Sequence, residues 1–457
     1  MIVEVDDVTD SERLFSSTPV LRLFFMAAIP GAIGMLMQSA YDLADGVLVG
    51  RFVSETAFAA INLAMPFVYV NFAFGDLIGV GSAVPISHAQ GRGERALACN
   101  IFTCACIMNV AFGFLTGLLF LLVSPHLMAM MGATGELQAQ ATLYLRVYAA
   151  FLPITSICFA IDNYLRICGK INRSLFCNAL LAGTGLVLEL LLLGFFDLGV
   201  GAAALSYCIA IAVSVCVGLW PFYQRRLYLS FCRPHFSFAL VSGIVRNGAP
   251  AFLENVAGRV TAVVLNTVLL AVGGLDAVSI YGVAMFCDAF LVPLVYGVVD
   301  SMQPAVGFNW GAKNLERVRS LEVCCFVAAA AVSLVLAFVV FMWPEAITLV
   351  FLPEAEEALV ASAAHALRIV SFSFILRWLP FAVQSYMVAV GQSRLAAICS
   401  VSQSLVFPLV TLAVLSPLGL EGLWLNMPVS TVAASVLSLG IIALFRATVR
   451  ERMERAR

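Results

Sequence analysis

Apolar stretches of 20 or more residues recur from Leu21 to Leu444, separated by short polar breaks. Each is enough to cross about 30 Å of hydrocarbon as a helix. The pattern predicts twelve spans, at 20–50, 56–90, 96–123, 137–165, 174–196, 199–223, 241–272, 276–311, 318–343, 357–390, 395–416 and 421–446. Several exceed about 20 residues, which implies tilt or extension past the bilayer. Proline and glycine punctuate them, among others at Pro30, Gly31, Gly81, Pro85, Pro250, Gly297 and Pro304. Two readings stay open for these: half-broken helices that let a bundle bend, or close packing of small residues.

The chain repeats itself. Pro30 matches Pro250 and Gly91 matches Gly311, each pair 220 apart. Phe159-Ala160-Ile161-Asp162-Asn163-Tyr164 answers Phe381-Ala382-Val383-Gln384-Ser385-Tyr386 at an offset of 222, and Tyr144-Leu145-Arg146-Val147 answers Ala366-Leu367-Arg368-Ile369. A duplicated membrane domain is the architecture of a secondary transporter, with its site between the halves. The expected division is a tail at 1–19, a first lobe at 20–223, a linker at 224–240, a second lobe at 241–446 and a basic tail at 447–457. Six spans is an even number, so both halves enter from the same side. The repeat axis should then lie along the membrane normal.

Composition and charge sharpen the picture. Hydrophobic residues make up 62% of the chain and charged ones only 11%, against about a quarter charged in a soluble domain. With both termini placed in the cytoplasm, the inside segments hold nearly all the arginines outside the spans, and the outside segments hold only Arg51. A wrong span count would scramble this positive-inside pattern. The expected location is a cell (inner) membrane, with both termini and the Gln224–Phe238 linker cytoplasmic. The acidic, polar start from Met1 to Phe15 does not read as a secretory signal. Thirteen cysteines without a C-x-x-C pair and four scattered histidines predict neither disulfides nor a metal site.

The residues then carry a family resemblance. Gln303-Pro304-Ala305-Val306-Gly307-Phe308-Asn309-Trp310-Gly311-Ala312, followed by Arg317-Val318, resembles a signature of multidrug and toxic compound extrusion (MATE) transporters. Asp45-Gly46-Val47-Leu48-Val49-Gly50-Arg51 with Ala59 to Pro66 is similar to the family's first-to-second span motif, and Asn163-Tyr164-Leu165-Arg166 with Gly169 to the end of its fourth span. The similarity runs from about Arg22 to Arg446 and is strongest to the bacterial MepA-like, DinF-related branch. It implies an all-α, two-lobed, twelve-helix exporter of varied and often cationic drugs, driven by H⁺ or Na⁺.

Ionisable groups inside spans are functional candidates by default, because each costs several kcal/mol unless paired or wet. The acids are Asp42, Asp45, Asp76, Asp162, Glu189, Glu254, Asp288 and Asp300; the cations are Arg146, Arg259, Arg368 and Arg377. Such an interior attracts cations and repels anionic phosphates. Asp45 and Glu189 stand first. The resemblance puts Asp45 on the carboxylate implicated in coupling, and Glu189 where the fifth span commonly has an acid. Two carboxylates in low dielectric cannot both stay ionised cheaply, which suits a proton that binds and leaves. The alternative for each is a structural acid bonded at a helix turn, or one facing water.

The family often has Asn one turn before the fifth-span acid; this chain has Gly185. A Na⁺ site needs several oxygens, so the loss favours H⁺ even though Asn163 and Ser206 remain as possible ligands. In the second lobe the candidates are Glu254, Asp288, Asp300 and Gln303, with Glu254 expected to pair with Arg259 or Arg377. Met37, Tyr41, Met65, Phe67, Met285 and Phe286 would suit an adaptable drug cavity.

Three function classes follow. The first is a drug or metabolite antiporter, monomeric, in contact with lipid, without nucleic acid and without a cofactor. The second is a lipid-linked oligosaccharide flippase, which should carry a cationic cavity and often two more spans. The third is an intramembrane enzyme, for which no H-E-x-x-H, G-x-S-x-G or clustered Asp motif is present.

Overall fold

The computed structural model describes residues 6–196 and 198–455, except the side chains of 6–10, 452, 453 and 455. The described residues are helical or loop, with no strand. Among the described residues, eleven helices are long and apolar enough to cross a membrane: Val20–Phe52, Glu55–Gly91, Arg95–Met130, Gly135–Ile167, Ile171–Phe195, Val200–Tyr223, Phe238–Gly311, Leu315–Met342, Glu357–Ala389, Ser393–Leu418 and Leu420–Glu451. The seventh holds two spans. Gly274 breaks its helical path with a φ of 66°, a conformation that glycine reaches without strain. That break restores the twelve expected spans, six to a lobe.

Each lobe has its own core. In the first, Phe102, Tyr144, Tyr148, Tyr164 and Phe222 are buried; in the second, Leu265, Tyr281, Leu367, Phe374 and Trp424. A further cluster joins the lobes at one end. It gathers Phe15, Leu23, Phe24, Met302, Phe308, Val318 and Met387. A short helix, Asp6–Ser17, caps this end. Its Gln90 and Phe308 contacts reach both lobes: Gln90 Nε2 donates to Ser11 Oγ (3.2 Å) and the Phe15 and Phe308 rings lie 5.7 Å apart. Arg317 Nε donates to the Phe15 carbonyl at 2.7 Å. This end, which carries the described portions of both termini, is called the near end below.

Lipid tails are as apolar as leucine, so burial of apolar surface alone cannot hold helices together in a bilayer. Close backbone approach does that, and it needs small residues. The lobes meet at such crossings. A Cβ on Gly91 would lie 1.9 Å from the Phe308 carbonyl oxygen, and one on Gly311 would lie 2.3 Å from that of His88. These two contacts are repeat mates, since 88 and 91 plus 220 give 308 and 311. The seam is therefore reciprocal, as a twofold requires. Gly81 abuts Ile244, Gly248 abuts Leu77, and Gly31 abuts Gly297 in the same way.

All these crossings lie in the near half of the first, second, seventh and eighth spans. At mid-depth Phe74 meets Phe252 (4.8 Å) and the Arg259 guanidinium lies 3.5 Å from the Tyr69 ring centroid. Ser39 and Ala289 touch at 3.5 Å. Beyond that level no hydrogen bond, ring contact or close glycine approach joins the lobes among the described residues. Gly46, Gly50, Gly258 and Gly282 face open space. The lobes are closed together at the near end and free of one another at the far end.

Candidate functional site

Asp45 and Glu189 come together in the first lobe. The first span brings Asp45, and the fifth brings Glu189 at the point where its α-helix widens into a π-turn over Leu190–Phe195. Such turns often mark functional positions. Glu189 is completely buried, and Asp45 is half-buried. Asp45 is the acid that neighbours Glu189. Two carboxyls can share a hydrogen bond only if one proton sits between them. Tyr41 donates its hydroxyl to Glu189 Oε1 at 3.3 Å, while Glu189 Oε2 has no donor. Among the described residues no cation pairs with either acid.

The position that the sequence marks as a lost ligand, Gly185, has a structural reason. A Cβ there would lie 2.6 Å from Tyr41 Cε2 and 3.0 Å from its hydroxyl. The tyrosine ring fills the space that a side chain at 185 would need, and brings its own hydroxyl to the acid. The ring also stacks on Tyr207, with centroids 5.9 Å apart. Nothing in the sequence pattern points to Tyr41 as a partner of Glu189; only the proximity of the first and fifth spans reveals it.

The other first-lobe candidates do not bond to this pair. Ser206 Oγ donates to its own helix at Ala202 (2.8 Å), and Asn163 Nδ2 to Phe159 (3.2 Å). Asn163 lines a small gap with Gln303 and Pro304 across the near-end seam. Asp162 is ion-paired to Arg166 at 2.8 Å and accepts from Ser174.

The second-lobe acids are all supplied with donors. Glu254 accepts from Tyr296, Gln384 and Gln403. The expected partners differ. Arg377 pairs instead with Asp288 at 2.8 Å, and Arg259 lies over Tyr69. Both departures have one cause: neutral donors from the eighth, tenth and eleventh spans already surround Glu254, so it needs no cation. Asp300 accepts from Gln303 Nε2 and Ser385 Oγ, both at 2.8 Å. Asp288 and Arg377 line a cavity of about 250 Å³ with Tyr281, Met285, Phe381 and Gln403. Asp76 meets Asn255 at 3.4 Å across the lobes. Glu189 and Asp288 each keep one buried oxygen without a donor, but Asp288 is paired with Arg377, whereas Glu189 is fully buried with no cation beside it.

Known proteins share this frame. The MatE family model matches residues 30–191 and again 250–413, one copy in each lobe. The multidrug export protein MepA of Staphylococcus aureus (strain MRSA252) is 23% identical over 436 residues, covering 94% of this chain and 95% of that protein. MepA of Staphylococcus haemolyticus is 24% identical over 434 residues, with 94% and 95% covered. A solved structure described as the outward-facing conformation of a multidrug resistance MATE family transporter aligns with a TM-score of 0.89 at 22% identity, covering 95% of this chain and 98% of that one. The double match falls on the two halves that the internal repeat and the reciprocal glycine seam define, and the chain belongs to the MatE family of membrane transporters.

Proposed function

We propose that the chain exports cationic or amphiphilic drugs or metabolites in exchange for H⁺, with Asp45 and Glu189 as the coupling pair. Multidrug export is the function named for the MepA relatives. One observation carries the coupling assignment: a fully buried Glu189 has an acid for a neighbour and no cation. An unpaired buried carboxylate costs several kcal/mol, whereas one shared proton satisfies both groups. The proton is taken up from the far end, where the lobes are parted. Its release opens a charged pair that a cationic drug, or the closure of the lobes around it, can use.

Tyr41 supports H⁺ over Na⁺. A sodium ion needs several oxygens in place of its water shell. Here an aromatic ring and a donor occupy the space beside Gly185. With the near end cytoplasmic, the described conformation is the outward-open member of an alternating-access pair, and the lobes part at the glycine seam when the near end opens.

Energetics limit the stoichiometry. Moving a monovalent cation out against the membrane potential costs about 2.3 kcal/mol per 100 mV. One incoming proton only cancels this, so accumulation outside needs a pH gradient or more than one proton per cycle. The test is drug transport in proteoliposomes under separately imposed gradients. Export driven by pH at clamped potential is expected. Robust export under a Na⁺ gradient at equal pH, insensitive to a protonophore, would overturn the H⁺ assignment.

A further inference from the structure

We propose that the near end of the first lobe carries a site for an anionic phospholipid, whose headgroup phosphate is held by Arg173 and Arg226. These residues, with Lys170, rim a cavity of about 670 Å³ whose remaining wall is largely apolar, including Met26, Phe176 and Leu227. No acid lines it. Arg173 reaches the Val217 carbonyl with Nη2 (3.2 Å), but its Nε is buried without a partner. Among the described residues no carboxylate lies within ion-pair distance of Arg173 or Arg226. Arg173 also sits in the first turn of the fifth span, a helix start that no side chain caps. The macrodipole disfavours a cation at that place and favours an anion. Two guanidinium groups at one opening, beside a helix start without a side-chain cap, have the chemistry that holds a phosphate.

The internal repeat supplies a control. Gly169 and Gly391 occupy the same turn of the two lobes, with φ of 73° and 74°. In that register Lys170 and Arg173 correspond to Gln392 and Leu395. Those two residues line a cavity of about 620 Å³ at the near end, together with Lys313 and with His88 and Arg92 of the first lobe. The equivalent turn of the second lobe forms without either cation. Gly199 and Gly419, with φ of 68° and 67°, set a second register in which Arg226 corresponds to Arg446. Arg446 is neutralised by Glu322 at 2.7 Å. Among the described residues, the first lobe alone combines such a cavity with arginines that have no carboxylate partner.

Location decides the source of the phosphate. The cavity opens beside Trp220 and Tyr223, both exposed, with rings 6.3 Å apart at the end of the sixth span. Exposed aromatics at a span end mark the headgroup level of a bilayer. Met26 and Phe176 are exposed along the same flank, a surface for acyl chains that a free phosphate would leave bare. Basic pockets between spans at this level are the physical signature of anionic lipid recognition.

The test uses the purified full chain in neutral detergent. Thermal unfolding is followed with added phosphatidylglycerol, phosphatidylcholine or millimolar inorganic phosphate, and retained lipid is counted by native mass spectrometry. Phosphatidylglycerol is expected to raise the midpoint by several degrees and to stay bound, with the other two giving less than a third of that shift. Arg173→Gln with Arg226→Gln should lower retained phosphatidylglycerol at least fivefold. Arg226→Glu alone changes an exposed linker position, and should also lower it at least fivefold. Arg225→Gln, beside the cavity but not lining it, should change nothing. Equal retention by Arg226→Glu and the parent, or an equal shift with phosphatidylcholine, would overturn the proposal. So would an equal shift with inorganic phosphate, which would make this a soluble-anion site.

Discussion

Gly248→Ala adds one methyl group at the tightest crossing between the lobes. Its carbon would lie 1.8 Å from the Leu77 carbonyl oxygen and 2.6 Å from the carbonyl carbon. Ordinary contact begins at 3.4 Å, so the seventh and second spans must part by 3.4 − 1.8 = 1.6 Å. Backbone cannot rotate away as a side-chain tip can. Overpacking of this kind costs about 1–3 kcal/mol. Alanine also gains about 1 kcal/mol of helix propensity over glycine. That gain acts on folding and is the same whichever way the lobes rock, so it cancels between the two conformations. The clash remains, and at about 1.4 kcal/mol per tenfold it shifts the balance toward near-end opening by about 5- to 150-fold. The assay is maleimide labelling of Ser87→Cys, in a background without the native cysteines. Ser87 is buried, and its Cβ is 2.9 Å from where a Cβ on Gly307 would sit. Its labelling should rise by that factor. Gly46→Ala and Gly258→Ala, which meet nothing within 4 Å, should leave it unchanged. Parental labelling of a folded Gly248→Ala protein would refute the seam as the closing contact.

Glu189→Gln and Asp45→Asn should each reduce pH-driven efflux to background while the protein reaches the membrane; wild-type rates in both would move the coupling site elsewhere. Tyr41→Phe removes only the 3.3 Å hydrogen bond, so the pH profile of transport should shift, with maximal rate changed less than by Glu189→Gln. Asp288→Asn leaves Arg377 unpaired in a partly buried site (23% and 15% exposed in the pair). It should cost about 2 kcal/mol, less than a fully buried pair, read as a lower unfolding midpoint, with partial recovery in Asp288→Asn/Arg377→Gln. Arg317→Ala detaches the N-terminal helix from the Phe15 carbonyl and should raise Ser87→Cys labelling severalfold, as Gly248→Ala does; no change would show that the helix only decorates the closed end.

The repeat and the family resemblance rested on particular matching residues and motifs, and the linear order of apolar and polar residues was sufficient for the spans. Those depend on hydrocarbon thickness and helix rise, which act locally and leave a period in the chain. The break at Gly273-Gly274 was legible for the same reason. Contacts between distant spans leave no such period. The Arg377–Asp288 pair, the neutral donors around Glu254 and the separation of Asn163 and Ser206 from Glu189 all depend on which helix faces which. Gly185 shows the division most clearly. By itself it reads as a ligand lost; in the fold it is the space that admits Tyr41. Sequence named the acids because ionisable groups are rare in apolar spans. Tertiary packing decided what stands beside each, because only the neighbours brought in from other helices determine whether a buried carboxylate has a donor, a cation or another acid beside it.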